Sequence, residues 1–172
     1  LVDDLRTLSL ADSGELTLER TRTDLVQLTA KVVDRYRLKS REKDVRITFS
    51  SPDEPLVARV DPQRVEQIAV NLLSNALRHS PPGERIEVKL EVQDDQLVLT
   101  IRDRGEGIPE DELPLIFERF YKSKISRDQD KAGTGLGLSI SQKLAQAHGG
   151  SIRASNHPDR GAVFQFQLPL DG

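Results

Sequence analysis

Two stretches of strict alternation limit what this chain can fold into. Ile86, Val88, Leu90 and Val92 recur at every second residue, and so do Leu97, Leu99 and Ile101. Strand side chains point to opposite faces with period two, so each stretch lays an apolar row along one face. Asp94-Asp95 lies between them and suits a tight hairpin turn. An isolated hairpin is marginal in water, so this one needs further strands and a covering layer. Val45, Ile47 and Phe49 alternate as a strand over 45–50, and Leu56, Ala58 and Val60 suggest another short one. Ile152 and Ala154, then Phe164, Phe166 and Leu168, predict two final strands around a turn at Pro158 to Gly161.

The covering layer reads as helices. Asp24 is a candidate N-cap for a helix through about Arg41, with Leu25, Leu28, Val32, Val33 and Tyr36 as its apolar stripe. Asp61-Pro62 supplies a cap and a first-turn proline for a helix that runs to His79 and stops before Pro81-Pro82-Gly83. Its core face is Val65, Ile68, Leu72, Leu73 and Ala76. Glu110 to Phe117 predicts a short helix. Gly135 to Ala147 predicts a longer one, with Gly149 as its left-handed C-cap. The expected fold is a two-layer α/β (α+β) sandwich, a mixed sheet with helices on one face. A short N-terminal helix remnant precedes it, because Leu1, Leu5 and Leu8 share a helical face before Ser13-Gly14. Leu16 to Thr23 reads as a linker or short strand.

Composition excludes several functions. The chain has 172 residues with no Cys, so thiolate metal sites and disulfides are ruled out. His79, His148 and His157 lack metal-ligand spacing. A net charge of −3 argues against a nucleic-acid binder, and 4% aromatics weakens base stacking. No apolar run reaches the roughly 18 residues of a membrane span. A start at Leu1 and the absence of Met lead us to expect a fragment or processed product.

The chemistry gathers between residues 67 and 138. Asp103 continues the buried face of Leu97, Leu99 and Ile101, where a carboxylate is costly unless something donates to it. The exocyclic amine of adenine is such a donor; a turn Asp capping the following backbone is the alternative. Gly105 and Gly107 allow close backbone approach. Gly133-Thr134-Gly135-Leu136-Gly137-Leu138 opens a helix, and helix N-termini favour anions. Gln67, Asn71, Asn75 and His79 lie four apart as one polar ridge. A carboxamide oxygen suits Mg²⁺, although a solvated helix face would give the same pattern. Arg78 stands near the same end. Arg119, Lys122, Lys124, Arg127 and Lys131 surround a charged segment that reads as a lid.

Together these residues resemble the catalytic, ATP-binding domain of bacterial sensor histidine kinases, in the ATPase superfamily that includes gyrase, a heat-shock chaperone and mismatch-repair proteins. The resemblance covers about residues 24–170. Asn71-Leu72-Leu73-Ser74-Asn75-Ala76 is similar to the N box, and Asp103-Arg104-Gly105-Glu106-Gly107 to the G1 box. Phe117-Glu118-Arg119-Phe120-Tyr121 is similar to the F box, and Gly133 to Leu138 to the G2 box. The resemblance implies ATP and Mg²⁺ as cofactors, with Asn75 as metal ligand and Asn71 assisting at metal and phosphates. Asp103 would accept from the adenine amine, with His79, Gly105, Gly107, Ile108, Phe117 and Tyr121 around the nucleotide. Arg78 and Lys122 would meet the phosphates beside Thr134, Gly135, Leu136, Gly137 and Leu138.

Hydrolytic relatives carry Glu where this chain has Asn71, so slow hydrolysis and preferred phosphoryl transfer are expected. Residues 1–23 resemble the end of the dimerisation and His-acceptor domain with its linker, and 24–172 the kinase domain. The acceptor motif itself is absent. The implied partners are a response regulator and the protein's own dimerisation domain as a homodimer, with no nucleic acid. The implied location is the cytoplasmic part of an inner-membrane sensor, anchored through segments not in this chain. A sigma-factor-binding serine kinase and a non-catalytic nucleotide-binding scaffold are the alternatives.

Overall fold

The computed structural model describes residues 1–124 and 133–170. Helix α1 spans Val2–Asp12, followed by β1 (Thr21–Asp24), α2 (Leu25–Glu42), β2 (Arg46–Ser50), β3 (Val57–Val60) and α3 (Pro62–His79). Then come β4 (Arg85–Gln93), β5 (Gln96–Arg102), α4 (Gly137–Ala147), β6 (Ser151–Asn156) and β7 (Ala162–Pro169). Five strands form a mixed sheet in the order β2-β4-β5-β7-β6, in which only β2 and β4 run parallel. β1 and β3 form a separate antiparallel pair. Helices α2, α3 and α4 cover one face of the large sheet, as the apolar rows require.

Local chemistry explains these boundaries. Asp94 and Asp95 both adopt positive φ (49° and 59°), which matches the twist of a two-residue hairpin between β4 and β5. Ile86, Val88, Leu90, Leu97, Leu99 and Ile101 are buried beneath the helices, together with Phe164, Phe166 and Leu168 of β7. Asp24 caps α2 by accepting from Val26 N, and Asp61 caps α3 by accepting from Gln63 N and Arg64 N.

Three expectations change. Residues 110–117 form successive turns rather than a helix. Pro114 has no N–H, so an i→i−4 ladder cannot run through it, and Leu115 and Glu118 instead donate to Glu112 and Leu115 carbonyls three residues back. α4 begins at Gly137, not Gly135, because Gly135 takes φ 74°. In α1 the leucines do not act as one face: Leu8 is buried with Thr7, whereas Leu1 and Leu5 stay exposed. α1 packs on α4, and Asp12 pairs with Arg119 and with Lys143 (3.4 Å).

Candidate active site

A cavity of about 610 Å³ lies between α3, the loop after β5 and the start of α4. Asn71, Asn75, Arg78, His79, Asp103, Gly107, Ile108, Tyr121, Lys122, Thr134, Gly135, Gly137 and Leu138 all line it. Residues scattered over nearly 70 positions of sequence thus share one wall, within the 300–1,000 Å³ range of small-ligand pockets. Gly105, Phe117 and Leu136 do not line it. Leu136 is fully buried as the residue preceding α4, and Phe117 packs against the core. Gly105 works through close approach. A Cβ there would sit 2.4 Å from the His79 carbonyl, so only glycine lets the loop close on the end of α3.

Asp103 is 2% exposed. Its Oδ1 accepts from Gly105 N (2.9 Å) and Ala162 N (3.2 Å). Oδ2 receives no hydrogen bond among the described residues, although the residue faces the cavity. Burial raises the carboxyl above its ordinary value, with the Gly105 and Ala162 N–H groups and Arg102 pulling the other way. Oδ1 thus caps the following backbone, and Oδ2 is left able to accept from a donor in the cavity.

On α3 the two asparagines are used differently. Asn71 Nδ2 donates to the Gly137 carbonyl (3.1 Å) and to Ser141 Oγ (3.0 Å), which ties α3 to the first turn of α4. The Asn75 carboxamide makes no hydrogen bond among the described residues and lines the cavity. Arg78 is half-buried against Gly133, and burial draws its guanidinium below the usual value.

α4 differs from α2 and α3 at its N-terminus. No side chain caps it, so its first N–H groups, which have no intrahelical partners, also lack a capping side chain beside the cavity residues Gly135, Gly137 and Leu138. Gly135 holds φ 74°, and a Cβ there would come within 2.8 Å of the Phe120 carbonyl carbon. Phe120 N donates to the Gly135 carbonyl (3.0 Å), so the 117–121 segment is pinned to the start of α4.

The cations of the expected lid divide. Lys122 reaches the cavity. Arg119 instead pairs with Asp12, and Lys124 lies 3.9 Å from Asp111. Arg127 and Lys131 of the expected lid fall outside the described residues. Further residues, none of them a predicted site residue, join these. Asp4 of α1, Ser74, Glu106 and Ser123 line the cavity. Glu112 is buried beneath the segment, where the Ser123 hydroxyl holds its carboxyl below the ordinary value and Lys124 N donates to Oε1 (3.2 Å).

Among the described residues no group of three His, Cys, Asp or Glu could hold a metal. An all-protein cage is therefore not what the described residues offer. A single carboxamide oxygen on Asn75 beside an anion-favouring helix end fits Mg²⁺, which keeps waters and phosphate oxygens in its shell.

Residues 60–172 match the family described as histidine kinase-, DNA gyrase B-, and HSP90-like ATPase. The signal transduction histidine-protein kinase AfsQ2 of Streptomyces coelicolor is 40% identical over 99% of this chain, which spans 30% of that relative's length. The chain is also similar to a mycobacterial sensor histidine kinase, MprB. That likeness has 30% identity and a TM-score of 0.78, and covers 87% of this chain and 98% of the MprB chain. Full-length ShkA in complex with AMPPNP superposes with a TM-score of 0.83 at 25% identity, covering 98% of this chain and 35% of that one.

Proposed function

Because the chain belongs to the histidine kinase-, DNA gyrase B- and HSP90-like ATPase family, we propose that this cavity binds ATP–Mg²⁺ for phosphoryl transfer to a histidine. The observation that carries the reading is the pairing of Asp103 with the uncapped N-terminus of α4 across one cavity. Asp103 Oδ2 is an acceptor for the adenine amine at one end. The α4 N–H groups, Gly135 and Gly137, with Arg78 and Lys122, receive phosphate oxygens at the other. Gly105 and Gly107 let the loop close on the base, with His79, Ile108 and Tyr121 beside it. Leu136 and Leu138 anchor the start of α4, and Phe117 anchors the segment before the lid. AMPPNP in the ShkA structure supports a nucleotide of this class.

Asn75, assisted by Asn71, would hold Mg²⁺, and the ion when bound would neutralise phosphate charge. The protein's part is positioning: Asn71 fixes α3 to α4, so metal ligand and phosphate donors keep one spacing. Asn71 cannot act as a carboxylate base towards water, so intrinsic hydrolysis is slow and a positioned acceptor is favoured. None of the three histidines suits that acceptor role. His148 is buried with both ring nitrogens bonded, His79 ends α3 in the cavity, and His157 sits in the β6–β7 turn. The acceptor therefore belongs to the dimerisation domain, whose helix end and linker we assign to residues 1–23, with the kinase domain at 24–172. A response regulator would receive the group next, and the domain would work on the cytoplasmic side of the membrane.

The test is a transfer reaction with labelled ATP and a separately supplied acceptor domain. Acid-labile phosphohistidine is the expected product. Acid-stable phosphoserine would turn the reading towards a serine kinase, and no transfer with intact nucleotide binding towards a scaffold.

A further inference from the structure

A second cavity, also of about 610 Å³, opens where the end of α2, the start of β2, the loop before β4 and the end of β5 meet. Arg37, Arg41, Arg46, Arg85 and Arg104 line it, against two carboxylates, Asp44 and Glu84. No lysine and no aromatic side chain takes part. Five guanidinium groups against two carboxylates make a concentrated positive field in a chain of net charge −3.

Neighbouring ion pairs meet only part of this charge. Arg46 and Arg85 are register partners on adjacent strands, so two like charges stand side by side, which is unfavourable without a counter-charge. The nearby carboxylate of Glu87 is divided among three guanidinium groups: Arg85 at 3.4 Å, Arg102 at 3.6 Å and Arg104 at 3.4 Å. Glu84 lies 3.5 Å from Arg160, and Arg37 pairs with Asp34. Arg41 and Arg46 are exposed and make no ion pair among the described residues. The Nε of Arg104 is buried without an acceptor.

We propose that this cavity binds a small phosphate-bearing anion, at a site separate from the nucleotide cavity. Arginine forks recognise phosphate oxygens bidentately, which a lysine ammonium cannot do. The lack of an aromatic platform disfavours a nucleobase, and the concave shape and volume suit a soluble molecule rather than a membrane surface.

Amide-resolved NMR with inorganic triphosphate, in the absence of divalent cations, tests this. Shifts at Asp44 to Ile47 and Gly83 to Arg85 are expected. In the Arg41→Ala/Arg46→Ala variant the affinity read at those amides falls at least about tenfold. Any shifts at Thr134 to Leu138, which report the nucleotide cavity, stay as in the wild type, so failure of one site is distinguishable from failure of the other. The single Arg41→Ala variant substitutes if the double variant loses its dispersed spectrum. Shifts confined to 134–138, a variant that titrates like the wild type, or binding seen only on phosphatidic-acid vesicles would each overturn the proposal.

Discussion

At the scale of single residues, the proposed adenine contact of Asp103 stands in opposition to stability. Its carboxyl is raised by burial, so its favourable contribution to folding is present in full only below the ordinary value of 3.8 and is lost as pH rises through the folded value. Near neutral pH the charged group therefore costs stability. Asp103→Asn keeps an acceptor for Gly105 N and Ala162 N while removing the buried charge. We expect a melting temperature equal to or above wild type at neutral pH, with the gain shrinking in acid; a clear loss of stability would show that the carboxylate is structural. His148 behaves differently. Its Nδ1–H donates to the Leu144 carbonyl (2.7 Å) and its Nε2 accepts from Asp61 N (3.1 Å), a pattern only the neutral ring can make. Burial lowers its folded value, so its contribution is present above 6.5 and is lost as pH falls from there through the folded value. Denaturant midpoints should drop as pH falls below 6.5, and His148→Gln should flatten that dependence. An equal pH dependence in both proteins would contradict this.

At the scale of elements, the contact between α3 and α4 decides the geometry of the site. Asn71→Ala removes two hydrogen bonds, while Ser141 Oγ still donates to the Gly137 carbonyl (2.8 Å); losing the two should destabilise by about 1–3 kcal/mol in chemical denaturation. Asn75→Ala breaks no such bond, so stability should hold within about 0.5 kcal/mol while Mg²⁺-dependent nucleotide binding weakens. Equal destabilisation by both changes would mean that the asparagines share one structural role. Much of this level was legible beforehand. Asp24, Asp61 and Pro62 set helix starts through capping, and alternation placed the strands. The bond between Asn71 and α4 was not legible, because a polar ridge does not reveal its partner 66 and 70 residues away. The turns at 110–118 were misread because apolar spacing outweighed the missing N–H of Pro114.

At the scale of the whole molecule, the sheet with α2–α4 forms a frame, and the 109–124 segment is attached to it by Ile116 and Phe117, which pack in the core, and by the Phe120–Gly135 bond. Gly135→Ala should strain φ 74° and press on Phe120, loosening that attachment. Hydrogen exchange should then rise at 117–124 and stay unchanged in β4 and β5; uniform acceleration would mean a global loss instead. Composition and periodicity indicated the sandwich, and the four boxes indicated most of the residues that line the first cavity. The second, arginine-lined cavity had no sequence signature, since its residues come from α2, β2, β4 and the loop after β5 and meet only in the fold. The central claim is that Asp103 and the start of α4 together hold an adenine nucleotide. Calorimetric titration of a non-hydrolysable ATP analogue, with and without Mg²⁺, into wild type and Asp103→Asn tests it most directly. The account predicts Mg²⁺-sensitive binding by the wild type, and a loss of about 10- to 100-fold in a variant that remains folded. Undiminished binding by Asp103→Asn, or no binding by the wild type, would contradict it.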